Sequence, residues 1–127
     1  ISNLLKIPKG SDIIVFERLR FLDTTPMSLT TNYLPAEIGA KINKTHLERK
    51  TMLETLEEVV GIDLGTIEHE VEITRANSEI SELLHIPALN PVLTIRTSVF
   101  DTDGNPIEVV WTHFVEHMYK FRVILGR

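Results

Sequence analysis

The sequence predicts an α+β domain built on an antiparallel sheet, and three observations carry that prediction. The first is a duplication. Leu4-Leu5-Lys6-Ile7-Pro8, an apolar run ending at Phe21, the turn Asp23-Thr24-Thr25-Pro26 and a second run Met27–Leu34 make one copy. Leu83-Leu84-His85-Ile86-Pro87, a run ending at Phe100, the turn Asp103-Gly104-Asn105-Pro106 and the run Ile107–Val115 make the other. Leu83 follows Leu4 by 79 positions and Pro106 follows Pro26 by 80, so one residue is inserted near Thr102. The second observation is that these runs are rich in Ile, Val, Phe and Leu and bounded by turn residues, the pattern of hairpins. The third is a helix-patterned segment between the copies, which needs one face of a sheet to cover. Two hairpins of one design imply a pseudo-symmetric sheet, and a site is expected where the copies differ.

Each element has its own signals. Asp12–Leu22 reads as a strand between Lys9-Gly10-Ser11 and Asp23-Thr24-Thr25-Pro26. Met27–Leu34 is a second strand with Met27, Leu29, Thr31 and Tyr33 on one face, stopped by Pro35. Residues 35–42 hold one short helical turn with Pro35 at its first position. Thr51 to Gly61 is the clearest helix: Thr51-Met52-Leu53-Glu54 has the form of a capping box, apolar residues recur at helical spacing, and Gly61 is the stop. In residues 66–74, Ile67, His69, Val71 and Ile73 alternate with Glu68, Glu70 and Glu72, which predicts a half-buried strand with an acidic outer face. Asn77 caps a short helix containing Ile80, Leu83 and Leu84, ended by Pro87. Residues 90–100 and 107–115 form the second hairpin, turning at Asp103-Gly104. Nothing precedes the first Leu-Leu-x-Ile-Pro as the strand 67–73 precedes the second, so the chain reads as cut inside a larger unit.

Bulk properties narrow the function. The 127 residues suit one domain, and 43% hydrophobic with 24% charged residues is an ordinary globular balance. No apolar run reaches the roughly 18–20 residues of a membrane span, and no signal-peptide layout opens the chain. The absence of cysteine excludes disulfides and thiolate metal sites and fits a reducing, cytoplasmic setting. A net charge of −5 argues against this segment gripping nucleic-acid phosphates, so any DNA binding belongs to another segment.

Few residues can carry chemistry. Arg18 and Arg20 share one strand face with Ile14 and Phe16, while the second copy has Thr97 and Val99 there. Either the arginines reach along an edge or pair with glutamates, or they form a clamp for a phosphate or carboxylate, which a planar guanidinium binds bidentately. Glu108 stands where the first copy has Ser28. It faces solvent, accepts from a hydroxyl-bearing ligand, or holds an arginine in place. Thr51 is a helix cap whose position also suits a phosphate. Thr30 and Thr31 are strand threonines of the kind that line sugar sites, and Arg96 reads as structural. His113 and His117 lie on a strand, where four residues span roughly 13 Å, too far for one metal ion. No catalytic motif, P-loop or dinucleotide fingerprint is present.

The joined pattern resembles the UTRA domain, the effector-binding module of the HutC branch of GntR-type bacterial transcription regulators. The resemblance rests on Glu17-Arg18-Leu19-Arg20, the Asp-x-x-Pro turn, Thr30-Thr31-Asn32-Tyr33-Leu34-Pro35, the helix from Thr51 with Gly61-Ile62, and Leu83-Leu84-x-Ile-Pro with Pro91-Val92-Leu93. It continues through Asp103-Gly104-Asn105-Pro106-Ile107-Glu108 to the closing Tyr119-Lys120-Phe121 and covers nearly the whole chain. It implies a chorismate-lyase-like fold that dimerises and binds a small effector beside the sheet, with no cofactor, metal or catalysis. It also implies a DNA-binding winged-helix domain and a first strand outside residues 1–127. By position, members that bind sugar phosphates use the arginines matching Arg18 and Arg20, a hydroxyl residue matching Thr51 and the glutamate matching Glu108. The chain departs from the family at Thr30, where many members have glutamate, and at Val110, where they have an aromatic residue. It departs again at Trp111, often an arginine, and at His113 and Phe114, often tyrosines. The expected site is therefore Arg18, Arg20, Thr30, Thr51, Glu108, Val110 and Phe114, in the sensor domain of a homodimeric repressor taking an anionic metabolite. The alternative is an enzyme of the same fold, in which an arginine and a carboxylate position a carboxylated substrate.

Overall fold

The computed structural model describes residues 1–118 together with 120, 122, 124 and 126; Tyr119 and Phe121 of the closing motif lie outside the described residues. Five strands form one antiparallel sheet: β1 (Ile13–Leu22), β2 (Thr25–Pro35), β3 (Leu64–Arg75), β4 (Pro91–Asp101) and β5 (Pro106–Val115). Their spatial order is β1-β2-β5-β4-β3. The two hairpins lie side by side, with β2 and β5 at the centre. Thr31 pairs directly with Trp111, its own counterpart 80 positions on, so the pseudo-twofold axis of the sheet passes through that pair.

The duplication extends to the backbone. Lys6 and His85 both take left-handed conformations, with φ of 51° and 55°. Leu5 and Leu84 are each 2% exposed. The hairpins are irregular at matching places, with register shifts at Arg20/Phe21 and Val99/Phe100, followed by the equivalent pairs Phe21↔Pro26 and Phe100↔Pro106. The inserted residue therefore lies in the second turn. Gly104 there takes φ of 83°, and the Asp101 carboxylate accepts from the backbone N–H of Asp103 and Asn105.

Helices cover the sheet unevenly. Between the hairpins run α1 (Ala36–Gly39), α2 (Lys44–Arg49) and α3 (Met52–Thr55), the last continuing as a π-turn over Leu56–Val60 and ending at Gly61 with φ of 81°. They lie on the face we call the front, where Leu34, Met52, Leu56 and Val99 form a core with Phe16 and Leu47 packed against it. Close packing of α1 leaves no room at Gly39, where a Cβ would stand 2.5 Å from Ile14 Cβ. On the back face, α4 (Ser78–Leu84), capped by Asn77, closes a second core of Leu29, Leu84, Val92 and Val115. Each fully buried leucine contributes about 2 kcal/mol, so both layers are held mainly by apolar burial.

Two expectations need correction. Helix α2 carries no signal in the sequence reading, because its capping box uses His46 where Glu or Gln is usual: Asn43 accepts from the His46 N–H, and His46 Nδ1 accepts from the Asn43 N–H. Strand β3 is not half-buried. It is the edge strand, and Ile67, Val71 and Ile73 are 38%, 42% and 74% exposed because the front helices reach only its Leu64 end.

Candidate functional site

Strand register fixes which side chains can meet. Residues directly opposite in an antiparallel pair share a face. Arg18 pairs with Thr30, which pairs with Thr112; Arg20 pairs with Ser28, which pairs with Phe114; Phe16 pairs with Asn32, which pairs with Val110. Glu108 lies on the same face, opposite Val99. Six of the seven expected site residues, Arg18, Arg20, Thr30, Glu108, Val110 and Phe114, therefore share the front face, with Glu108 at the end under the helices and Arg20 and Phe114 at the other. A cavity of about 230 Å³ there is lined by Arg20, Met27, Ser28, Thr30, Thr112 and Phe114. A larger one, about 310 Å³, lies between β1 and α2 and is bordered by Arg18.

The electrostatics of this face are unbalanced. Neither Arg18 nor Arg20 forms an ion pair among the described residues. The Arg18 Nε is buried and donates to nothing among the described residues. Burial, then the like charge of Arg20, lowers the Arg18 pKa, and the Glu108 carboxylate partly offsets both. Two cations on one face that no carboxylate contacts at ion-pair distance among the described residues leave a place for an anion. The reading in which the arginines pair with glutamates does not hold.

Glu108 does not face solvent. It is 1% exposed, and burial raises its carboxyl to about 7, against the opposing effects of a hydrogen bond from Asn32 and the charge of Arg18. Asn32 Nδ2 donates to Glu108 Oε2 at 3.1 Å. Thr30 and Thr112 face each other with their hydroxyls 3.4 Å apart. Thr31 lies on the back face, lining a cavity of about 170 Å³ with Tyr33 and His113. His113 there bonds Thr94 Oγ1 at 3.0 Å.

Thr51 stands apart from the sheet cluster. It caps α3, its hydroxyl accepting from the Glu54 N–H at 3.1 Å while its own N–H donates to the Glu54 carboxylate at 3.0 Å. The Glu54 carboxylate thus occupies the anion position at this helix start. Among the described residues no hydrogen bond joins Thr51 to Arg18, Arg20 or Glu108.

Ser28, Asn32, Thr112 and Met27 were not on the sequence-derived list of site residues. Ser28, Asn32 and Thr112 had a readable signal, being polar residues at the parity of Thr30 or Glu108. Met27 had none, because it is the extra residue that the register shift between Arg20 and Phe21 turns into the cavity.

The sequence model of the UTRA domain matches residues 1–120. An HTH-type transcriptional regulator of Mycobacterium tuberculosis is 28% identical over 105 residues, covering 80% of this chain and 39% of the regulator. The HTH-type transcriptional repressor NagR of Bacillus subtilis is 24% identical over 121 residues, covering 95% of this chain and 49% of the repressor. The chain thus spans less than half the length of these relatives. The crystal structure of a GntR-family transcriptional regulator from Enterococcus faecalis superposes with a TM-score of 0.86 at 22% identity, over 98% of this chain and 88% of that one.

Proposed function

The chain belongs to the UTRA domain family, and from that premise we propose that it is the effector-sensing and dimerisation domain of a DNA-binding transcriptional regulator of the repressor type. Its ligand is a small anionic metabolite, of which a sugar phosphate is the best fit. The observation that carries this reading is the Arg18/Arg20 pair, which forms no ion pair among the described residues and shares a sheet face with a hydroxyl-bearing cavity of about 230 Å³ lined by Arg20. A phosphate there takes two charge-assisted contacts from the guanidinium groups, while Thr30, Ser28 and Thr112 offer hydroxyls to the rest of the molecule. Thr51 joins the site only if the ligand displaces the Glu54 carboxylate from the helix start.

The kinship with regulators supports sensing rather than turnover. A sensor must bind its ligand with different affinity in two states. Here the cavity bordered by Arg18 touches both β1 and α2, so an anion drawing on Arg18 acts on the helical layer. The DNA-binding domain lies outside these residues and the active form is a homodimer.

Thermal-shift and calorimetric titration with a panel of sugar phosphates tests the reading. Wild type is expected to be stabilised, and Arg18→Ala to lose at least about tenfold in affinity, the worth of one charge-assisted hydrogen bond. Equal stabilisation of both proteins by every ligand overturns the clamp.

A further inference from the structure

Asn32 has no part in the reading above, yet its surroundings set it apart. Asparagine is a poor strand former, and this one is on a central strand, 2% exposed. A buried amide is costly unless its groups are bonded. Only half of this one is. Its Nδ2 donates to Glu108 Oε2, whereas the buried Oδ1 accepts nothing among the described residues. Arg18, which pairs with Thr30 two residues along on the same face, has the complementary defect, a buried Nε that donates to nothing among the described residues.

The hydrogen bond to Glu108 sets the orientation of the amide. Glu108 Oε2 accepts from the NH₂ group at 3.1 Å, as a carboxyl oxygen can in either protonation state. The NH₂ therefore faces Glu108 and Oδ1 is turned the other way. The result is an oriented acceptor on Asn32 and an unused donor on Arg18, on one sheet face in neighbouring rows of the register.

We propose that Asn32 is the specificity-determining residue of this site. Its Oδ1, oriented by Glu108, accepts a hydrogen bond from a hydroxyl or amide N–H that the effector carries next to the anionic group held by Arg18. Glu108 is then a positioning residue. The inference rests on the anion-clamp reading and narrows it: the effector is an anion with a neighbouring donor, not a bare anion or an apolar acid. Arg18 is long and flexible and its charge acts on Glu108; in this proposal its movement toward the anion opens the way to the amide. A site built to bond such a group rejects analogues lacking it, because a buried polar atom is then left unpaired.

Isothermal titration distinguishes this role from a merely structural one. The probes are inorganic phosphate, a panel of triose, pentose and hexose phosphates, and the monodeoxy analogues of whichever sugar phosphate binds. Wild type is expected to lose about tenfold or more in affinity at one deoxy position. Asn32→Leu is expected to bind parent and analogue alike, with affinity for inorganic phosphate within about twofold of wild type. If Asn32→Leu does not fold, Glu108→Gln serves, since it keeps the volume but frees the amide to turn; it too should lose the discrimination. Discrimination that survives in the folded variant overturns the role of Asn32 and leaves the clamp standing. Phosphate binding unchanged in Arg18→Ala overturns the clamp, whatever Asn32 does. No binding by any probe to wild type overturns both.

Discussion

The two hairpins share a backbone and differ in what they carry inward. Along β1 the front face reads Ile14, Phe16, Arg18, Arg20; along β4 the equivalent positions read Leu93, Ile95, Thr97, Val99. Along β2 it reads Ser28, Thr30, Asn32, Leu34, and along β5 Glu108, Val110, Thr112, Phe114. The pseudo-twofold axis exchanges the two ends of this face. One end, at Val99 and Leu34, lies under the helices that follow β2. The related end, at Arg20 and Ser28, is open enough to hold a cavity. Side chains under the layer are apolar because burying a charge there is costly, and those beyond it are free to be arginines. Glu108 is the exception, a carboxylate placed by symmetry on the covered side, and its raised pKa records the cost.

That comparison can be broken most forcefully at Glu108. Its carboxyl is raised to about 7 in the folded protein, whereas an unfolded glutamate titrates near 4.3. The folded state keeps a proton that the unfolded chain has released. The associated stability is full below about pH 4.3 and is lost as pH rises toward 7. Glu108→Gln removes the titration, so its stability relative to wild type should grow by about 1–3 kcal/mol between pH 5 and pH 8, measured by urea unfolding at each pH. A smaller effect tests the open end. Arg20→Val gives β1 the residue of its counterpart; because Arg20 is exposed, solvent screening limits the loss to a few-fold in anion affinity by calorimetry. The smallest comes from the second half, where Arg96 pairs with Glu70 and more distantly with Glu68. These glutamates are more than half exposed, so Glu70→Gln should change the urea midpoint by less than about 1 kcal/mol in stability.

Much of this was legible in the residues. Period-two alternation gave the strands, Thr51 and Asn77 gave two helix starts, and the repeat gave the equivalence of the hairpins before any strand was paired. Parity placed Arg18 and Arg20 on one face, because facing is a local property. What failed was non-local or chemically unusual. The burial of Glu108 depends on helices that arrive from elsewhere in the chain. The exposure of Ile67, Val71 and Ile73 depends on β3 falling at the edge, which alternation cannot report. Helix α2 was hidden because His46 closes its cap. Asn32 was visible as a residue within a motif, but an unbonded Oδ1 exists only once Glu108 has claimed the other half of the amide.

The axis pair Thr31 and Trp111 has an optical consequence. Trp111 is the only tryptophan in the chain. It stands half-buried at the centre of the sheet, on the face opposite the arginines, with Arg96 across from it on β4. Both hairpins meet at this residue, so a change in their relative twist alters the surroundings of a single chromophore. The protein carries a native fluorescent gauge at its own symmetry point, on the side where a ligand in the front cavity does not touch it.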